Sequence, residues 1–309
     1  MINILFAAKP ESWASYELPL RGAFDKVGLA YTLGTDMPPE IVDYIVYAPG
    51  ATATDFTPYT RTKAVLGLWA GVETIVTNET LTQPLCRMVD DGLTDGMVEW
   101  VTGHTLRHHL GMDLHIHGQD GVWRAGIVPP LARKRKVTIL GMGALGAACA
   151  TQLASLKFDV HGWSRSAKEI DGVTCHSGSD GLTVALQDAD IVTLLLPDTP
   201  ATQNTLNAET LALMSQDSVL INPGRGPLVD DDALLDALDK NLSHATLDVF
   251  RIEPLPEDHP FWAHPKVTVT PHIASETRPD TASGIIAENI RRGEAGEPFL
   301  HVVDRVAGY

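Results

Sequence analysis

Positive charge is scarce in this chain. Its 309 residues carry 39 Asp and Glu against 23 Lys and Arg, for a formal net charge of −16. Phosphate contacts need basic surface, so the balance argues against nonspecific binding of nucleic acid. Cysteine is nearly absent. Cys86, Cys149 and Cys175 are scattered and form no CxxC pair. That argues against a disulfide framework and a structural zinc, and fits a reducing compartment. No apolar run approaches a membrane span. The opening MINILFAAKP lacks a basic n-region and reads as a strand, not a signal peptide, so a cytoplasmic location is expected. Repeats and low-complexity tracts are also missing. The length suits two domains, each able to bury a core.

The first third reads as alternating strands and helices. Strands are expected at Ile2–Ala8, Ala64–Leu68 and Leu85–Met88, a short helix edge and strand over Ile41–Tyr47, and a helix over Glu11–Val27, broken at Pro19. From Met97 a helical period places Met97, Val101, Leu106 and Leu110 near one face, and a polar loop follows. Later strands are expected at Ile191–Leu196, Ser218–Ile221, Ala245–Asp248 and Val267–Thr270. Helices fit Ala208–Met214, Asp230–Lys240 and Pro279–Arg292. The basic run Arg133–Lys136 reads as a solvated edge.

The most informative stretch is Val137–Arg165. An apolar strand runs into Gly141-Met142-Gly143-Ala144-Leu145-Gly146, then a small-residue helix and a second strand. This is the βαβ context of a dinucleotide site. Gly141 permits the tight turn, Gly143 lets backbone approach a pyrophosphate, and Gly146 lets helix and strand pack closely. The helix would aim its positive end at the phosphates. The second strand ends in Ser164-Arg165-Ser166, with no carboxylate to hold ribose hydroxyls or repel a 2′-phosphate. Ser164 can donate to such a phosphate and Arg165 can pair with it. NADP(H) is therefore the expected cofactor, with NAD(H) as the other possibility.

Three further segments each follow an expected strand: Asn222-Pro223-Gly224-Arg225-Gly226, Asp248–Pro256, and Thr270-Pro271-His272-Ile273-Ala274-Ser275. Ligands of open α/β sheets sit beyond the carboxyl ends of strands. A guanidinium there suits bidentate grip on a carboxylate. A histidine there can act as general acid or base near neutral pH. A glutamate on its other ring nitrogen would fix the tautomer and favour the imidazolium.

With these segments in view, the chain resembles the D-2-hydroxyacid dehydrogenase family. The resemblance rests on GLWAGVE at Gly67–Glu73, GMGALG, LLLPDTPATQN at Leu194–Asn204, INPGRG at Ile221–Gly226, DVFRIEPLPEDHPFW at Asp248–Trp262 and TPHIAS at Thr270–Ser275. GWSRS, HPFW and the terminal VDRVAGY bring it nearest to the branch that reduces glyoxylate and hydroxypyruvate. The resemblance implies two doubly wound parallel-sheet α/β domains. A discontinuous flavodoxin-like substrate domain would span residues 1–99 and 275–309, and a Rossmann cofactor domain 100–274. It implies that Arg225, Glu253 and His272 are catalytic. The cofactor would meet the glycine turn, Ser164–Ser166, Leu196, Pro197, Thr202, Pro223, Gly224, Ala274 and Ser275, with Asp248 on the nicotinamide carboxamide side. The 2-oxo acid would meet Trp69, the N–H groups of Ala70 and Gly71, Arg225 and His272. Many relatives carry a small residue where Trp69 stands. A homodimer through the cofactor domain, using the helix near Met97, is also implied.

The function implied is NADPH-dependent reduction of small 2-oxo acids, with His272 as proton donor. Two alternatives stay open on sequence: a dehydrogenase of a bulkier D-2-hydroxy acid, and a nucleotide-sensing binding protein on the same fold. His104 and His108 stand four apart on one helix, and His115 and His117 follow, but no carboxylate or cysteine pattern completes a metal site. Helix-end and dimer-surface positions are expected for them. No metal, nucleic acid or membrane partner is expected.

Overall fold

The computed structural model describes all residues except Thr52, Val306 and Tyr309. The last two belong to the terminal VDRVAGY motif, which to that extent lies outside the described residues. The chain divides into two compact units, Met1–Leu93 with Glu276–Tyr309, and Thr94–Ser275. Among the described residues no helix is long and apolar enough to cross a membrane.

The first unit is built on β1 (Ile2–Ala7), β2 (Tyr31–Gly34), β3 (Tyr44–Tyr47), β4 (Ala64–Gly67) and β5 (Leu85–Cys86). They form a parallel sheet in the order β2-β1-β3-β4-β5, the doubly wound order of flavodoxin-like domains. Alternation along the strands feeds two cores. Ile4, Phe6, Tyr44, Val46 and Leu66 pack under α1 (Pro10–Lys26) and α8 (Pro279–Ala295), while Leu5, Ile45 and Val65 meet Phe56, Val72 and Ile75 on the other face.

Pro19 does not break α1, contrary to expectation. An interior proline costs about 3 kcal/mol. Tyr16, Leu20 and Phe24 are buried around it, and each fully buried side chain of this size contributes about 1.5–3 kcal/mol. Core packing therefore outweighs the local defect. The strand β2, which carries no strong sequence signal, adds an edge to this sheet.

The second unit contains α2 (Asp91–His109), of which its share begins at Thr94, and α3 (Met112–His117). Then come β6 (Lys136–Leu140), α4 (Ala144–Ser155), β7 (Asp159–Ser164), β8 (Thr174–Ser177), α5 (Gly178–Leu186), β9 (Ile191–Leu194) and α6 (Ala208–Leu211). The unit ends with β10 (Ser218–Asn222), α7 (Asp231–Lys240), β11 (Leu242–Leu247) and β12 (Val267–Val269). Its seven-stranded parallel sheet runs β12-β11-β10-β9-β6-β7-β8, so the order reverses at β6 and β9, as in a Rossmann domain. Val137, Ile139, Ile191 and Val219 pack with Met97, Val101 and α4 on one face. Val192, Leu194, Leu220 and Ala245 pack with α7 on the other.

Several local expectations need correction. The helix expected from Met97 starts at Asp91, whose neighbour Asp90 accepts from the Leu93 N–H at 3.2 Å. The polar loop after it holds α3. The helix over Ala208–Met214 stops at Leu211. Lys136, at the end of the basic run, is the first residue of β6, and its Nζ donates to the carbonyls of Val184 and Gln187.

Candidate active site

The glycine turn sits where β6 passes into α4. Gly141 has φ of 111°, a region that L side chains avoid, and its N–H donates to Trp163 O at 2.8 Å. A Cβ on Gly146 would overlap the carbonyl of Gly141, so this glycine sets the distance between helix and strand. A Cβ on Gly143 would meet no atom within 4 Å. Among the described residues the N–H groups of Met142 and Gly143 donate to no acceptor. The turn thus combines tight packing below with open space and free donors above. Ser164–Ser166 follows at the end of β7, where Ser164 Oγ donates to Ser166 O at 2.8 Å.

Arg225 follows β10 and is braced by Asn222, which is 1 % exposed. Asn222 Oδ1 accepts from Gly224 N at 3.1 Å, and its Nδ2 donates to Arg225 O at 3.0 Å. This is the side-chain–backbone bonding that makes Asn a turn former. Arg225 Nη1 donates to Gly224 O at 2.7 Å. A Cβ on Gly226 would overlap the backbone of Phe250 and Arg251. The Arg225 loop and the segment leading to Glu253 therefore touch backbone to backbone.

Glu253 and His272 form an ion pair, with Nδ1 2.7 Å from Oε2. The other carboxylate oxygen, Oε1, accepts from Phe250 N at 2.9 Å. The Glu253 hydrogen bond raises the His272 pKa above its ordinary 6.5, against burial and the Arg225 charge, which lower it. Burial would raise Glu253. The bonds from His272 and the Phe250 N–H outweigh it and hold the carboxyl below its ordinary 4.5. The arrangement favours an imidazolium whose Nε2 is left for chemistry. Both side chains are half-exposed, and Ile252, Trp262 and Ile273 present exposed apolar surface in the same segments.

His272 has φ of 55°, rare for a residue with a side chain. Asp248 holds it there. Its carbonyl accepts from His272 N at 2.8 Å. Its carboxylate accepts from Thr270 Oγ1 at 2.6 Å, Ile273 N at 2.9 Å and Ala274 N at 2.8 Å. Asp248, expected on the nicotinamide side, is thus 0 % exposed and binds the loop that carries His272. Sequence reasoning did not see this anchoring role, nor the brace by Asn222. The signal for the latter was an Asn at a strand end before Pro-Gly.

The remaining expected residues fall in two places. Leu196, Pro197 and Thr202 lie after β9, where Thr202 Oγ1 donates to Pro197 O at 2.6 Å. Pro223, Gly224, Ala274 and Ser275 lie in the same unit. Trp69, Ala70 and Gly71 follow β4 in the other, and Trp69 is 48 % exposed. Among the described residues the N–H groups of Ala70 and Gly71 have no acceptor.

His108 stands in the last turn of α2, as expected of a helix-end residue, but it is largely buried and not on the surface. His108 lies over the sheet, its Nε2 2.8 Å from Thr246 Oγ1 and its ring 4.9 Å from that of His244. Burial pushes the two imidazoles down, to about 3 for His108 and about 4 for His244. Among the described residues no group of three or more His, Cys, Asp or Glu could hold a metal ion.

Known proteins share this layout. Residues 104–274 match the model of the D-isomer specific 2-hydroxyacid dehydrogenase NAD binding domain. The chain is 40 % identical over 258 residues to glyoxylate/hydroxypyruvate reductase A of Serratia proteamaculans, covering 81 % of this chain and 82 % of that protein. A D-isomer specific 2-hydroxyacid dehydrogenase from Xanthobacter autotrophicus, solved with NADPH and MES, superposes with a TM-score of 0.92 at 37 % identity over 99 % of both chains. The NADPH-dependent glyoxylate/hydroxypyruvate reductase of Sinorhizobium meliloti, solved with NADP and sulfate, gives 0.88 at 35 % identity over 100 % of both. Two parallel sheets, a glycine turn and an Arg, Glu and His on strand ends are thus accompanied by extensive identity, and this chain belongs to the D-isomer specific 2-hydroxyacid dehydrogenase family.

Proposed function

We propose that this protein reduces small 2-oxo acids, glyoxylate and hydroxypyruvate among them, to 2-hydroxy acids with NADPH. The observation that carries the reading is the 2.7 Å Glu253–His272 pair beside Arg225, on the unit that holds the glycine turn. The names of the relatives agree with it.

The chain's own residues fit a dinucleotide. The open space at Gly143 and the donors of Met142 and Gly143 suit a pyrophosphate, with Ala144, Leu145 and Gly146 starting the helix behind them. Ser164, Arg165 and Ser166 would take the 2′-phosphate. The reduced nicotinamide supplies a hydride when bound. Arg225 binds the substrate carboxylate and polarises the C2 carbonyl. His272 gives its Nε2 proton to the carbonyl oxygen, and Glu253 retains the imidazole in position and keeps it charged. In the first unit, the amide groups of Ala70 and Gly71, beside Trp69, are donors suited to a substrate carboxylate. Residues 1–99 and 275–309 would then serve substrate, and 100–274 the cofactor.

The same reading includes a homodimer through the cofactor domain. Supporting it, Leu110, Met112, Leu114, Ile116, Val122 and Trp123 present a run of exposed apolar side chains after α2. A cytoplasmic location accompanies it. The test is oxidation of NADPH with a panel of 2-oxo acids. Turnover of glyoxylate and hydroxypyruvate supports the assignment, and no turnover with any acid favours a nucleotide sensor.

A further inference from the structure

Arg87 stands apart from the other arginines. It directly follows β5, at the carboxyl end of the first unit's parallel sheet. It is half-buried, and burial lowers its pKa. Among the described residues its guanidinium has no hydrogen-bond or ion-pair partner. Its backbone N–H donates to His301 O at 3.1 Å, and Arg87 is one of the causes that lower the His301 pKa, after burial. In a chain with net charge −16, a desolvated cation without an acidic neighbour is an exception. A partly buried charge is costly unless it is paired. Such a group is ready for an anionic or strongly polar ligand.

Its position says which ligand. The next residue, Met88, donates its N–H to Trp69 O at 2.9 Å, and the Arg87 Cα is 3.8 Å from where a Cβ on Gly67 would stand. Arg87 is therefore one strand away from Trp69, Ala70 and Gly71. Adjacent strands are separated by about 4.8 Å. The segments that follow the two strands therefore run side by side, so the Ala70 and Gly71 N–H groups and the Arg87 guanidinium can serve different ends of a three-carbon acid.

We propose that Arg87 is a specificity-determining residue that binds an oxygen-bearing substituent at C3 of the 2-oxo acid. This rests on the assignment of Ala70 and Gly71 to the substrate carboxylate. Among acids that have a C3, it favours those carrying a hydroxyl or carboxylate there over those with an alkyl C3. Sites built to hydrogen-bond an oxygen discriminate strongly against analogues that lack it.

The test compares hydroxypyruvate with pyruvate, which differ by that hydroxyl alone. The ratio of their kcat/KM values is read within one sample, so partial misfolding of a variant does not alter it. Arg87→Met is expected to reduce the ratio by about 10- to 100-fold, as for loss of a charge-assisted hydrogen bond, and Arg87→Lys to restore part of it. A ratio unchanged in Arg87→Met overturns the proposal, including the case where both substrates weaken together. A second readout does not need turnover. Quenching of tryptophan fluorescence is titrated with tartronate, whose second carboxylate stands at C3, and with glycolate, which has no C3. Tighter binding of tartronate that disappears in Arg87→Met supports Arg87 even if no 2-oxo acid is reduced, in which case only the parent reading fails. Equal binding of tartronate by the native protein and Arg87→Met overturns the role of Arg87 alone.

Discussion

Asp248→Asn offers a sharp test of how the His272 loop is held. The substitution changes almost no volume. In the native protein, Oδ1 accepts from Thr270 Oγ1 and Ile273 N, and Oδ2 from Ala274 N. An amide has only one acceptor oxygen. If that oxygen replaces Oδ1, the NH2 group faces the Ala274 N–H, donor against donor. If it replaces Oδ2, the NH2 group can donate to Thr270 but faces the Ile273 N–H. Either orientation loses one backbone bond and leaves a buried donor unpaired at a site that is 0 % exposed. A hydrogen bond to a charged group contributes about 1.5–3 kcal/mol, and an unsatisfied buried donor costs about 1–3 kcal/mol. Because the two terms overlap, we expect a loss of about 3 kcal/mol. For a unit of this size that lowers Tm by about 6–12 °C. His272, held at positive φ by the same loop, should lose its alignment, and a misplacement of about 1 Å costs on the order of 10²-fold in rate. Thermal unfolding and steady-state kinetics with hydroxypyruvate measure both effects. An Asp248→Asn protein with native Tm and native kcat would refute the anchoring role.

Other consequences follow from the same geometry. His272 is the proton donor when charged, and its pKa is raised by Glu253, so reduction should be fast below that pKa and decline as pH rises through it. In Glu253→Gln the raising bond is gone while burial and Arg225 still lower the pKa, so the alkaline limb of kcat/KM should move to lower pH; an unmoved limb counts against the pair. His272→Gln should cut kcat by about 10²–10⁴-fold while NADPH still quenches protein fluorescence. Gly226→Ala forces the Arg225 loop off the Phe250–Arg251 backbone, and overpacking of this kind costs about 1–3 kcal/mol, so lower Tm and lower kcat should appear together. Removing the guanidinium in Arg165→Ala should weaken NADPH by about tenfold or more and NADH much less. Equal losses for the two cofactors would contradict the 2′-phosphate assignment.

Linkage predicts a matching stability window for the ion pair. Glu253, with a lowered pKa, stabilises the fold above about its ordinary 4.5 and loses that contribution as pH falls through the folded value. His272, with a raised pKa, contributes fully below 6.5 and loses it as pH rises through the folded value. The pair therefore contributes most between these limits, and because both side chains are half-exposed the effect is small.

Much of this protein was legible in its residue order, because the informative signals are local. A strand, a glycine turn and a small-residue helix must follow one another along the chain to cradle a phosphate, so Gly141, Gly143 and Gly146 declare themselves by spacing. Likewise Arg225, Glu253 and His272 each follow a short segment that reads as a strand. Features that depend on distant partners were hidden. The burial of Tyr16, Leu20 and Phe24 carries α1 through Pro19, and no local rule contains that energy. The edge strands β2 and β8 are recruited by neighbours rather than by their own weak patterns. Asp248 and Ala274 are 26 residues apart, and only the fold shows that a carboxylate binds the loop behind the histidine. The same holds for Arg87, whose lack of a partner among the described residues is a property of three-dimensional surroundings. Sequence determines which chemical groups end each strand; tertiary packing decides which of them are paired, which are strained, and which are left free to act.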